Sequence, residues 1–214
     1  MPKGIPLTDE EIDRRRHEVF RAALPVMMQK GFSETSMREI ADAAGIGKST
    51  LYDYFRSKDE VLLFAVEEEM ESLYNCALEI SRQPLPAIEK LHMIMKQELE
   101  IILQNKEFFL QITLEAQKLG MHSQKRVLQL RYTYQDLICS VINQGIAEGS
   151  FRKVNSLLVA RMLINTMSNV VYTTRPTGTP EEMLKEVFDL IFLGVLERGD
   201  ASQVALHARL GGAE

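Results

Sequence analysis

The stretch GIGKSTLYDYFRSKDE, residues 45–60, crowds lysines, hydroxyls and three aromatic rings into a segment too short and too polar to form a core. Lys48, Ser49, Thr50 and Tyr52 are side chains that can hydrogen-bond base edges, and a tyrosine ring can touch a thymine methyl. Tyr54, Lys58 and the hydroxyls of Thr35 and Ser36 suit phosphate oxygens, which fix register without reading sequence. Chemistry of bond breaking is not indicated. There is no G-x-S-x-G, P-loop, Rossmann glycine pattern or H-E-x-x-H, and Gly45 with Gly47 is accounted for by a turn. His17, His92, His122 and His207 show no ligand spacing with cysteine or carboxylate, so neither a metal nor a cofactor is expected.

The elements that must position these groups follow from periodicity. Residues 37–56 read as two short helices joined by AGIG, in which Gly45 supplies a left-handed conformation and the small Ala41 allows close crossing. Leu51 and Phe55, four apart, face the core, which leaves Lys48, Ser49 and Tyr52 pointing away and Thr50 and Tyr54 at the flanks. This is a helix-turn-helix pattern. A first helix opens at a capping box of Thr8 and Glu11, carries apolar Ile12, Val19, Phe20, Ala23 and Met27 at helical spacing, and stops at Gly31; Pro25 should kink it. Ser36 with Glu39 caps the second helix, and Ser57 with Glu60 caps a long fourth helix reaching about Ile80.

Further helices are expected at about 86–104, 106–119, 123–148, 156–174 and 180–197, separated by proline, glycine and polar segments. Strand-like alternation is absent, so the fold class is all-α with about nine helices. The expected division is a three-helix domain carrying the helix-turn-helix over residues 1–56 and a larger helical domain over 57–214.

The whole chain of 214 residues carries a net charge of −5, which argues against a generally basic coat for nucleic acid. Between Arg14 and Lys58, however, nine basic residues face five acidic ones, a local excess of +4. Cys76 and Cys139 lie far apart in apolar helical patterns and read as reduced thiols. No apolar leader and no membrane-length apolar run is present, which points to a cytoplasmic protein.

With these residues placed, GFSETSMREIADAAGIGKSTLYDYFRSKDEVL, residues 31–62, resembles the DNA-binding segment of the TetR family of bacterial transcriptional regulators. The G-F, T-S-M-R-E-I-A, A-G-I-G, L-Y-x-Y-F and S-K-D-E elements fall in the family's order without a gap. The resemblance implies a dimeric regulator, commonly a repressor, that binds a pseudopalindromic operator in double-stranded DNA and is released by a small-molecule inducer. It implies base contacts from Lys48, Ser49, Thr50 and Tyr52, and phosphate contacts from Thr35, Ser36, Tyr54 and Lys58. Asp53 on the recognition helix and Pro25 in the first helix depart from the usual pattern.

Beyond residue 60 only general physical signals remain. Residues 156–174 are apolar on most faces, and residues 180–197 carry apolar positions at helical spacing, so a partner subunit is expected to cover both helices in a homodimer. The other reading is a single larger core. Asn165, Asn169 and Tyr172 form a polar stripe that either lines a ligand pocket or is satisfied inside the protein. Tyr74, Phe109 and Tyr134 are either core or the wall of an adaptable apolar cavity, and Glu115 is the carboxylate nearest such a wall. A different class of function stays open as well: a helical small-molecule binder or enzyme whose N-terminal domain does not bind DNA.

Overall fold

In the computed structural model, which describes residues 8–195, nine α-helices and no strand occur among the described residues. They are α1 (Asp9–Lys30), α2 (Met37–Ala43), α3 (Lys48–Tyr54), α4 (Lys58–Ser81), α5 (Ala87–Gln104), α6 (Lys106–Ala116), α7 (Met121–Ala147), α8 (Ser156–Val171) and α9 (Pro180–Val195). The all-α class and the element order match the reading of periodicity. Residues 196 and 197 of the expected last helix, and His207, lie outside the described residues.

Local chemistry explains the helix starts. At α1 the Thr8 hydroxyl accepts from the Glu11 N–H at 3.2 Å while Glu11 Oε2 accepts from the Thr8 N–H at 2.8 Å, a reciprocal capping box. Ser36 and Glu39 repeat it at α2, and Thr179 and Glu182 before α9. The box expected at α4 is only half formed. Glu60 N–H donates to Ser57, but its carboxylate accepts from the N–H of Arg56 at 2.6 Å, one residue earlier. Helix α1 continues through Pro25, which is exposed, as is Arg21, whose carbonyl the ring deprives of its partner. Water can satisfy that carbonyl, so the proline is tolerated.

The chain forms two compact units, residues 1–71 with 105–130 and residues 72–104 with 131–214. In the first, Phe20, Ile40, Leu51, Phe55, Val61 and Phe64 are buried together with Ile112, Ala116, Leu119 and Val127, so α6 and the start of α7 share a core with the helix-turn-helix. Phe55 and Phe64 meet edge to face at 5.6 Å, and the Arg16 guanidinium lies 4.9 and 4.7 Å from their centroids. Arg16 Nε is buried with no hydrogen-bond partner, so the two ring faces are the main attraction offered to that part of the guanidinium.

The second unit is built on Leu91, Ile94, Met95, Leu99, Ile138, Ile142 and Leu163, all fully buried. Gly145 on α7 is required by packing rather than by backbone conformation. A Cβ there would stand 2.3 Å from the ring of Phe151, which stacks on Phe192, itself stacked on Phe188. Lys90 and Glu98 are both taken into this core. Lys90 donates to the Ser81 carbonyl and to Gln144 Oε1 at 2.8 and 2.9 Å. Glu98 accepts from the Tyr134 hydroxyl at 2.7 Å. Burial pushes the Glu98 carboxyl up to about 7, against a smaller lowering by that hydrogen bond.

Two outcomes follow. Gly145→Ala should destabilise the chain by about 1–3 kcal/mol in urea melts, because overpacking against Phe151 outweighs alanine's better helix propensity, worth about 1 kcal/mol. For Glu98, the folded chain holds its proton more tightly than the unfolded chain. The stability this gives is complete below about pH 4.5 and is lost as pH rises through about 7. Subtracting Glu98→Gln stability from that of the parent chain should therefore reveal a loss of about 3 kcal/mol between those limits, and a flat difference would contradict the burial of this carboxyl.

Candidate nucleic-acid interface

Helix α2 ends in a Schellman motif: the Ile46 N–H donates to the Ala41 carbonyl at 3.0 Å and the Gly45 N–H to that of Asp42 at 3.1 Å. Gly45 has φ of 65°, the left-handed region that a side chain would strain, which is why AGIG can turn the chain so tightly into α3. Within α3, Leu51 is fully buried, and Phe55 just beyond it donates its N–H to the Leu51 carbonyl at 2.9 Å while burying its own ring. The opposite face is therefore fixed outward. Lys48, Ser49, Thr50, Tyr52 and Asp53 are all exposed, Tyr52 to 43% despite its large apolar ring, and the Lys48 ammonium lies 5.9 Å from that ring.

The flanking residues are placed less uniformly. Tyr54 is half-buried against the first unit's core. Ser36 is exposed, and its hydroxyl serves the capping box, donating to Glu39 Oε2 at 2.8 Å. Lys58 donates to the Ser33 carbonyl, with its ammonium 5.4 Å from the Phe32 ring. Thr35 must be corrected. Its side chain is buried and its hydroxyl donates to the Gly31 carbonyl at 2.9 Å, closing the loop between α1 and α2, so the side chain is not a surface contact. Glu39, bonded by Lys30 and by Ser36, has its carboxyl held down at about 2 and is a fixed negative charge at the start of α2.

The seven candidate ligand-lining residues are divided between the two units. Phe109 and Glu115 belong to the first unit, whereas Tyr74, Tyr134, Asn165, Asn169 and Tyr172 belong to the second. Asn165 and Asn169 are exposed, because the buried face of α8 is taken by Leu163, Met167 and Val170. Tyr134 is buried against Glu98, and Tyr172 is half-buried at the end of α8. Glu115 borders a cavity of about 20 Å³ walled by Phe20, Met27, Leu62, Phe108 and Ile112. That is room for about one water.

Sequence reasoning missed the groups that pin this interface from a distance. The Ser33 hydroxyl donates to Glu115 Oε2 at 2.6 Å, Lys118 donates to Glu115 Oε1 at 2.9 Å, and the Gly120 N–H donates to Asp59 Oδ2 at 3.1 Å. His17 Nε2 lies 2.5 Å from Glu68 Oε2, and although burial opposes it, the bonds to Asp13 and Glu68 raise the imidazole's proton affinity. No periodicity announces the pairing of Ser33 with Glu115, Asp59 with Gly120 or His17 with Glu68, whose members lie 82, 61 and 51 positions apart.

Comparison with known proteins agrees with this geometry. Residues 19–65 match the family model described as bacterial regulatory proteins, tetR family, and residues 84–195 match a tetracyclin repressor-like C-terminal domain. The HTH-type transcriptional repressor KstR2 of Mycobacterium tuberculosis is 27% identical over 202 residues, 88% of this chain and 96% of the relative. The fold is also that of FadR from Bacillus subtilis in complex with stearoyl-CoA, at 19% identity and a TM-score of 0.73 over 83% of this chain and 98% of that one. AibR, in complex with isovaleryl coenzyme A and operator DNA, is likewise 19% identical, with a TM-score of 0.67 over 83% and 98%. Because the C-terminal match alone spans just over half of the chain, and the N-terminal match covers the helix-turn-helix, the protein belongs to the TetR family of bacterial regulatory proteins.

Proposed function

We propose that the chain is a cytoplasmic, ligand-responsive transcriptional repressor that binds a pseudopalindromic operator as a homodimer and is released by a small molecule. Residues 1–56 read the DNA, and residues 57–214 bind the ligand and dimerise. The observation that carries this reading is the outward face of α3, where Lys48, Ser49, Thr50 and Tyr52 are exposed while Leu51 beneath them is fully buried. In the complex, these four side chains meet base edges in the major groove, and Tyr54, Ser36 and Lys58 meet phosphates on either side.

Dimerisation is supported by apolar side chains that the single chain leaves uncovered on α8 and α9: Leu158, Met162, Leu190 and Leu193, with Leu190 exposed to 74%. A two-fold pairing would cover them and place two copies of α3 about 34–36 Å apart, or a multiple of that, along the duplex. Helices α4 and α7 each contribute residues to both compact units. A ligand that favours another arrangement of α4 would change the spacing of the two recognition helices, a coupling of about 1–3 kcal/mol. Acyl-coenzyme A thioesters are the first inducers to try, since both FadR and AibR are seen with one.

Selection from random duplex DNA should enrich a two-fold-related sequence, and thioesters that release the protein from it are the candidate inducers. Tyr52→Ala should lose about 10- to 100-fold in affinity for that sequence, at stated salt, while keeping the parent's circular dichroism and dimer mass. Full-strength binding by this variant would remove α3 from the base-reading role. Leu158→Glu combined with Leu190→Glu should shift sedimentation from dimer to monomer; an unchanged dimer would place the interface elsewhere.

A further inference from the structure

Two ammonium groups converge on one serine at the edge of the helix-turn-helix. Lys58, from the first turn of α4, donates to the Ser33 carbonyl, and Lys118, from just beyond α6, reaches the Ser33 hydroxyl oxygen at 3.4 Å. The same hydroxyl donates to Glu115, which also accepts from Lys118. One carboxylate thus stands between two lysines, while the nearby Asp59 carboxylate accepts from the backbone N–H of Gly120. Burial alone would raise the Glu115 carboxyl, but the bonds from Ser33 and Lys118 and the charges of Lys118 and Lys58 hold it below the ordinary range. It remains ionised and offsets one of the two ammonium charges that meet at Ser33.

Lys118 does not reach this place by chance of a long side chain. Its segment is fixed by Ile112, Ala116 and Leu119, buried in the first unit's core, and by the Gln111 side chain, which donates to the Met28 carbonyl at 3.4 Å. Yet 63% of the Lys118 side-chain surface is exposed. Ser33 stands three residues before Ser36, the cap of α2, and Lys58 opens α4. Ser36 and Lys58 are groups assigned to phosphates above.

We infer that Lys118 is a DNA-backbone contact, so that a residue from the segment matched by the C-terminal family model extends the phosphate-binding surface of the helix-turn-helix. The ligand of this edge is a phosphodiester lying across Lys58 and Lys118, with Ser33 between them. Glu115 restrains Lys118 in the free protein and opposes the phosphate. This inference rests on the DNA-binding reading of the chain.

The test is the salt dependence of binding to two labelled duplexes, the sequence enriched by selection and a scrambled duplex of the same composition, using the full-length protein. Lys118→Ala should weaken binding to both and lower the slope of log affinity against log salt by about 0.9 per protomer, the value for one lost phosphate contact. Glu115→Gln should act in the opposite direction, strengthening binding, because it removes a negative charge from the phosphate path and frees Lys118. Thermal melts establish that each variant is folded. An unchanged slope in Lys118→Ala, or weakening by both variants alike, would make the Ser33 cluster a structural clasp only and overturn the inference. Should Tyr52→Ala bind the selected duplex at full strength, the DNA-reading assignment itself falls, whatever Lys118 does.

Discussion

The structure depends on burying Leu51 and Phe55. Helix α3 is seven residues long, well below the length at which an isolated helix holds together in water, so its shape and orientation come from tertiary packing. Both side chains are fully buried, and Phe55 is gripped from two sides, by Phe64 of α4 and by the guanidinium of Arg16 from α1. Because these two anchors are four residues apart on one face of α3, Lys48, Ser49, Thr50 and Tyr52 are left on the opposite, outward face, with Tyr54 half-buried at the flank. The exposure of Lys48, Ser49, Thr50 and Tyr52 is the geometric consequence of what lies beneath.

A second constraint is electrostatic. An acidic chain must present a positive surface to DNA, and here the acidic residues near the interface are largely committed to local partners. The Glu39 carboxylate is occupied by Ser36 and Lys30, that of Glu60 by the Arg56 N–H, and that of Glu115 by Ser33 and Lys118. Each carboxylate satisfies a helix start or a loop, which keeps its charge close to donors rather than projecting toward a phosphate. Such exposed pairs contribute little stability individually. Their effect is to fix where the free cations stand.

The legible parts of the sequence were those governed by neighbours a few residues away. The Thr8 and Ser36 capping boxes, the glycine turn at Gly45 and the inward pair of Leu51 and Phe55 all follow from spacings of three or four. Thr35 was misplaced because the same residue type that binds phosphate also closes a loop, and only the position of the Gly31 carbonyl decides between them. Asn165 and Asn169 read as a stripe that either lines a pocket or is satisfied inside the protein, because α8 is apolar nearly all round; which face is buried depends on α5 and α9, contacts that periodicity does not encode. Glu98 gave no signal as a lone carboxylate in a helix, since its burial and its pairing with Tyr134 are set by residues 36 positions apart.

The central claim is that two copies of α3 enter the major groove of one duplex. Hydroxyl-radical and methylation footprinting of the selected duplex tests it most directly. The expected result is two protected patches related by a two-fold axis, with guanine N7 shielded in each and their centres about 34–36 Å apart or a multiple of that distance. A single continuous footprint without two-fold symmetry, or protection confined to the minor groove, would contradict it.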